Sequence, residues 1–174
     1  VTGVNDTTTT TKTLSNDFTE DGGAAIGDTV ETCSAADDDD TLTADSVTLS
    51  DTTVFALKYD SRDVTITLTE AGLALVNAGT DLPTFTVTVS DGEASAQASA
   101  NPAVTGVNDT PTITNTLTNN FTEDGGAAIG DTVATFSAAD EDDTLTADSF
   151  TLSDTTNYAL SYDSGTVTIT LTEG

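Results

Sequence analysis

An all-β chain built of tandem β-sandwich domains is predicted by three observations on these 174 residues. The first is repetition. Val1-Thr-Gly-Val-Asn-Asp6 returns as Val104-Thr-Gly-Val-Asn-Asp109, and Phe18 to Val30 returns unchanged as Phe121 to Val133. The offset is constant and ungapped from Val1/Val104 to Glu70/Glu173, and about four in five of the aligned positions are identical. A period of about 100 residues is too long for a solenoid unit and is the size of a whole domain. The second observation is composition: threonine dominates, with Val, Ile and Phe between the threonines, which is strand chemistry. The third is punctuation, because turn residues recur about every 8–12 positions.

Along the first repeat, Phe18 follows a Thr-rich opening segment, and Glu20-Asp-Gly-Gly23 turns the chain. Thr29 to Ala35 alternates apolar and polar residues as a half-buried strand does. Asp37 to Asp40 is a loop. Ser46–Ser50 and Val54–Tyr59 read as strands separated by Asp51-Thr-Thr53. Asp60-Ser-Arg-Asp63 has hairpin-turn chemistry, as does Asp163-Ser-Gly-Thr166 in the second copy. Val64 to Leu68 alternates cleanly. Glu70 to Gly79 is open between one helical turn and a bulged loop. Pro83 to Val89 is the strongest strand, Asp91-Gly92 turns, and Ala94 to Val107 runs as a weak final strand. About seven short strands per repeat fit an immunoglobulin-like sandwich.

The expected core is Phe18, Ile26, Val30, Leu42, Val47, Leu49, Phe55, Leu57, Tyr59, Val64, Ile66, Leu68, Leu73, Phe85, Val87 and Val89, with Phe121 and Phe136 in the second copy. Lys12/Asn115, Lys58/Ser161 and Arg62/Gly165 differ between copies and read as solvent-facing. Cys33 stands where the other copy has Phe136, so it reads as a small core hydrophobe. The domains are expected at 1–103, complete, and 104–174, truncated before its last two strands. The chain opens inside a repeat and reads as a segment of something longer.

Thirty Asp and Glu against three Lys and Arg, with no His, give a formal charge of −27. That argues against nucleic acid and anionic membranes, which require basic patches. The most apolar stretch, Ala71 to Val76, is far short of the ~20 residues needed to span a bilayer. One cysteine allows no internal disulfide; bound metal is an alternative staple. Catalysis is not expected: there is no His and no Ser-centred nucleophile motif, and the paired carboxylates recur once per domain in loops.

The carboxylates cluster at element ends: Asn5-Asp6, Glu20-Asp21, Asp37 to Asp40, and Asp91 with Glu93. The second copy repeats Asn108-Asp109, Glu123-Asp124 and Asp140-Glu-Asp-Asp143. Each alone is ordinary turn composition, whereas several carboxylates together suit Ca²⁺, which takes six to eight oxygen ligands.

Their order along the chain resembles the cadherin repeat: Glu20, then Ser34-Ala-Ala-Asp-Asp-Asp39, then Val89-Ser-Asp-Gly92, then Val107-Asn-Asp109. Val104-Thr-Gly-Val-Asn-Asp-Thr-Pro111 with Thr88-Val-Ser-Asp-Gly92 is similar to the VCBS and cadherin-like repeats of giant RTX-type bacterial adhesins. The resemblance implies calcium at each inter-domain joint. It assigns Glu20, Asn108, Asp109, Asp140 and Asp142 to the joint between these repeats. Asp37, Asp39 and Asp91, with Asp6, would face a preceding domain, and Glu123 is the second copy's Glu20. Gly106 departs from the cadherin pattern, which has Asp there, and the middle Asp-Arg-Glu motif is missing. The implied role is a calcium-stiffened extender of an extracellular, biofilm-type adhesin, partnered by adjacent repeats. The alternative is a self-assembling filament subunit completed by strand exchange.

Overall fold

A computed structural model describes residues 5–173, and it divides into two compact units after Val107. In chain order the first unit holds β1 (Thr9–Ser15), β2 (Phe18–Thr19), β3 (Thr29–Ala36), β4 (Val47–Leu49), β5 (Phe55–Asp60), β6 (Asp63–Leu68), α1 (Glu70–Asn77), β7 (Phe85–Ser90), β8 (Ser95–Ala100) and β9 (Val104–Thr105). One antiparallel sheet runs β1-β3-β6-β5, a second runs β4-β7-β8, and β2 pairs with β9 in parallel. The two larger sheets enclose one core, so the unit is an all-β sandwich of the immunoglobulin-like class, as the sequence predicts. Among the described residues no helix is long and apolar enough to cross a membrane.

Alternation builds that core. Val64, Ile66 and Leu68 point inward from β6 while Thr65 and Thr67 stay half-buried. Phe85, Val87 and Val89 meet them from β7, and the Phe55 and Phe85 rings lie 4.6 Å apart, tilted by 56°. Edge-tilted aromatic pairs of this kind add about 0.5–1.5 kcal/mol beyond area burial.

Several elements differ from the expectation, each for a local reason. The Thr-rich opening is a full edge strand, β1. It carries almost no apolar signal because it is held by its ladder to β3 and by threonine pairs such as Thr13 Oγ1 with Thr32 Oγ1 at 2.8 Å. The final strand splits into β8 and β9 around Pro102, which has no N–H for a ladder. Glu70–Asn77 is an α-helix of eight residues, capped by Thr69, whose Oγ1 accepts from the Gly72 N–H at 3.2 Å. Its Val76, with Leu82 beyond it, joins the core unforeseen. Leu73 is only half-buried, and Ile26 is 62% exposed. The loop under Ile26 is closed by backbone and carboxylate bonds between Ala25 and Asp28, which turn the side chain outward.

Glu31 was not expected inside, yet it is 1% exposed on the core face, and the Lys12 ammonium lies 3.0 Å from Oε2. That ion pair is the carboxylate's only partner among the described residues. Lys12 is exposed, as the sequence reading expects, while its ammonium also reaches the buried carboxylate. Cys33 is buried beside the pair, and desolvation, more than any neighbour, pushes its thiol up.

The second unit holds β10 (Thr112–Thr118), β11 (Thr132–Ala139), β12 (Tyr158–Asp163) and β13 (Thr166–Leu171) in one antiparallel sheet of order β10-β11-β13-β12. This reproduces β1-β3-β6-β5, including the bulge of β1 between Lys12 and Leu14, here between Asn115 and Leu117. Residues 150–152, the counterpart of β4, form no strand among the described residues. The buried centre is reduced to Ala138, Val167 and Ile169, with Ala134 buried separately. Phe121 is 42% exposed, so it is no core residue, and Phe136 is half-buried. The division falls after Val107 rather than after residue 103 because β9 belongs to the first unit through β2.

Two predictions follow from comparing the copies. The β5–β6 turn sets Ser61 at φ 50° and Arg62 at φ 94°, where the second copy places Ser164 at 47° and Gly165 at 86°. A side chain at such φ costs about 1–2 kcal/mol, so Arg62→Gly should raise thermal stability by about 1 kcal/mol; an unchanged or lower melting temperature would contradict this. Removing Lys12 alone should destabilise by about 3 kcal/mol, since it strands a buried charge. The triple change Lys12→Asn, Glu31→Ala, Cys33→Phe, which installs the second copy's residues, should recover most of that loss in denaturant unfolding.

Candidate metal centre

The loop after β3 is folded by its own first carboxylate. Asp37 Oδ1 accepts the N–H of Asp39 at 2.9 Å and of Asp40 at 2.7 Å, an Asx-type turn. The turn after β7 is built the same way: Asp91 Oδ1 accepts from Glu93 at 2.7 Å and Ala94 at 2.6 Å. These two turns bring Asp37, Asp40 and Asp91 together, with one oxygen from each within 4.8 Å of the others. Asp37 is 8% exposed, and its Oδ2 is buried with no hydrogen-bond partner. A buried carboxylate oxygen without a donor, on a residue clustered with two further carboxylates, is costly unless a cation joins it.

The surroundings of Asp91 favour its charged form. The Asp91 carboxyl is held below the usual carboxylate range, chiefly by the Ala94 N–H, then by the Asn5 side chain and the Glu93 N–H. Asn5 Nδ2 donates to Asp91 Oδ2 at 3.0 Å, and the Asp6 N–H donates to Asp39 Oδ2 at 2.9 Å, which ties the incoming chain to both turns. The only ion pair among the described residues is Lys12–Glu31, so no Lys or Arg is in ion-pair contact with the three. Arg62 does line the adjoining cavity beside Asp37 and Asp40. The donor set, all carboxylate oxygen, suits a hard cation.

The structure brings Asp37 and Asp91 together with Asp40, whereas the sequence reading grouped Asp37 and Asp91 with Asp39. Asp39 instead uses its carboxylate on the Asp6 amide. An Asp-x-Asp reading assumes an extended loop; the turn around Asp37 Oδ1 brings residue i+3 round. The second unit repeats the device: Asp140 Oδ1 accepts from Asp142 at 3.0 Å and Asp143 at 2.6 Å, and Asp142 Oδ2 accepts from the Asp109 N–H. Asn108 donates its side-chain amide to the Asp109 carbonyl at 2.9 Å.

Glu20 sits elsewhere in the first unit. It is 2% exposed, its Oε2 accepts from the Val107 N–H at 2.8 Å, and its Oε1 has no hydrogen-bond partner among the described residues. The close approach needs glycine at position 79, where a Cβ would lie 2.6 Å from Oε2. Glu123, its counterpart, is exposed.

No protein-family model matches the chain, and no curated protein matches it. Solved structures do. A crystal form of protocadherin gamma B7 extracellular cadherin domains 1–4 is 19% identical with a TM-score of 0.47, covering 94% of this chain and 41% of that one. Protocadherin gamma B2 extracellular cadherin domains 3–6 give 16% and 0.47, covering 93% and 41%. The titin domains Z1Z2 in complex with telethonin give 11% and 0.43, covering 99% and 84%. The chain spans about two fifths of the protocadherin chains it matches.

Asp37→Asn keeps the Oδ1 acceptor that folds the loop but removes a charge from the cluster. Without calcium the variant should melt at or above the parent temperature. The parent should gain about 2.7 kcal/mol at free calcium a hundredfold above Kd, and the variant should lose most of that gain. Calorimetry with and without calcium reads both signs, and a full calcium shift in the variant would remove Asp37 from the ligand set.

Proposed function

We propose that this chain is an extender segment of a calcium-stiffened extracellular adhesin of bacterial cell surfaces, of the VCBS and cadherin-like repeat kind. The observation that carries the reading is the Asp37–Asp40–Asp91 cluster with its buried, unpartnered Asp37 oxygen. Near-identical repetition supports spacing work over specific recognition, because a repeated module adds length without adding a new surface. The sequence order of Glu20, Asn108, Asp109, Asp140 and Asp142 supports a second cation position for the Val107–Asn108 linker. No catalytic role is proposed. Whatever the adhesin binds is assigned to other parts of it, and adjacent repeats are the partners of this one.

The filament reading is weaker on energetic grounds. Its donor strand, Pro83 to Val89 or Ala94 to Val107, is in either case already engaged in the first unit: β7 is the middle strand of β4-β7-β8 and buries Phe85, Val87 and Val89, while β8 and β9 pair with β7 and β2 and bury Ala100 and Val104. Lending it to a neighbour opens one core for each core closed, with no net gain in burial.

Small-angle scattering on the chain tests the extender reading. Calcium should lengthen the maximum dimension and narrow its distribution relative to chelator, with Mg²⁺ substituting poorly. Equal dimensions in calcium and chelator would defeat it.

A further inference from the structure

The cavity beside the Asp37 cluster carries one cation of the chain's own. It encloses about 280 Å³, and Asp37, Asp40, Tyr59, Ser61 and Arg62 are among its lining residues. Arg62 is the chain's single arginine and the only basic residue in that lining. We propose that Arg62 is a tethered competitor for the first unit's cation site: its guanidinium exchanges between solvent and the Asp37–Asp40 carboxylates, and a metal ion must displace it. The inference rests on the calcium reading and adds the residue that sets how tightly the first unit holds its ion.

Three observations carry it. The first is the tether. The Ala35 N–H donates to the Arg62 carbonyl at 2.8 Å, and Asp63 faces Ser34 in the β3–β6 ladder. Asp37 follows Ala35 by two residues, at a strand rise of about 3.3 Å each, so it lies within the span of one long side chain anchored at position 62. The second is strain. Arg62 sits at φ 94°, and its counterpart Gly165 takes φ 86° with the matching bond from the Ala138 N–H, also 2.8 Å. The turn is therefore the same in both copies and suits glycine, yet the first unit holds an arginine there against the left-handed penalty; strain of this kind collects at functional positions. The third is the want of a donor. Asp37 Oδ2 is buried without a hydrogen-bond partner among the described residues, in a cluster of three carboxylates. Lys12 is engaged by Glu31, and Lys58 does not line the cavity. A guanidinium supplies a planar fork of N–H donors that matches a carboxylate. In this structure Arg62 is exposed and outside ion-pair distance, the arrangement that leaves the cluster open to a cation. A site blocked part of the time binds more weakly in proportion to the blocked fraction. The second unit, with Gly165, has no such competitor.

The test is a calcium titration of the 174-residue chain followed by amide NMR. The amides of Asp39 and Asp40 donate to Asp37 Oδ1 and report the first unit; those of Asp142 and Asp143 donate to Asp140 Oδ1 and report the second. Arg62→Gln keeps a long side chain in the strained turn and removes its charge, whereas Arg62→Lys keeps the charge. The glutamine variant should bind calcium about fivefold more tightly at the first unit, the lysine variant should stay within about twofold of the parent, and the second unit's response should be alike in all three. The single arginine also gives a single side-chain Nε–H signal, which should move on adding calcium with the same midpoint as the Asp39 and Asp40 amides. Unchanged or weaker calcium binding in Arg62→Gln overturns the proposal and leaves the calcium reading standing. So does an Nε–H signal indifferent to calcium while those amides respond. No response of the parent's Asp39 and Asp40 amides to calcium defeats the calcium reading and this inference with it.

Discussion

The structure depends on covering one apolar sheet face. A chain with 36% hydrophobic residues, six Phe and no Trp or Met cannot bury much in any single layer. It builds its core from a thin row of Val, Ile, Leu and Phe on each of two sheets, every second residue being an outward Thr. Each inward side chain contributes about 1.5–3 kcal/mol only when fully removed from water, so both rows are needed. The two copies separate the contributions. Strand order, bulge position and turn conformation are the same in both, so local sequence dictates them. The degree of burial differs: Phe55 is fully buried, whereas its counterpart Tyr158 remains half-buried, with no opposing sheet among the described residues.

The acidic residues are first of all loop formers. Asp28, Asp37, Asp51, Asp91, Asp140 and Asp154 each accept backbone N–H groups within three residues of themselves. These six of the thirty acidic residues are thereby explained without any ion. Asp154 shows the consequence for acid stability. Its carboxyl is held below the usual range, first by the Asn157 side chain, then by the Asn157 and Thr156 N–H groups. A depressed folded pKa means the loop's contribution is present above the unfolded value and is lost as pH falls through the folded one. What separates the Asp37 cluster from these loops is the oxygen left over. Asp37 spends Oδ1 on the turn and holds Oδ2 in the interior with no donor.

The sandwich was legible because strands of this kind advertise themselves by alternation and by their turns. The parts that were not legible are those held by backbone or by single side chains. β1 is an edge strand whose residues are nearly all exposed, so no apolar period marks it. α1 is too short for its period to separate from a loop, and its identity rests on the Thr69 cap. Glu31 breaks the alternation rule outright, and only its partner Lys12, one strand away, makes that tolerable. In the candidate site, Asp37 and Asp91 could be read from order along the chain. Asp40 could not, because its position depends on the turn at Asp37 rather than on spacing.

The differences between copies say which demands are stringent. Core residues vary: Cys33 and Phe136, Val47 and Phe150, Phe55 and Tyr158 occupy matched positions, and the Lys12, Glu31, Cys33 set changes together to Asn115, Ala134, Phe136. Volume in a core is exchangeable if neighbours compensate. The turn carboxylates do not vary in the same way: Asp37, Asp39 and Asp40 reappear as Asp140, Asp142 and Asp143, and only the intervening Asp38 becomes Glu141. In both copies the first of these Asp residues caps the turn and the third answers the amide of the incoming chain; in the first copy the fourth completes the cluster. Asp37 does double duty, as Asp91 does on the facing turn: each caps its own turn and joins the cluster. This also means the loop is already ordered before any cation arrives, so binding bears little of the entropy cost that a mobile acidic loop would impose.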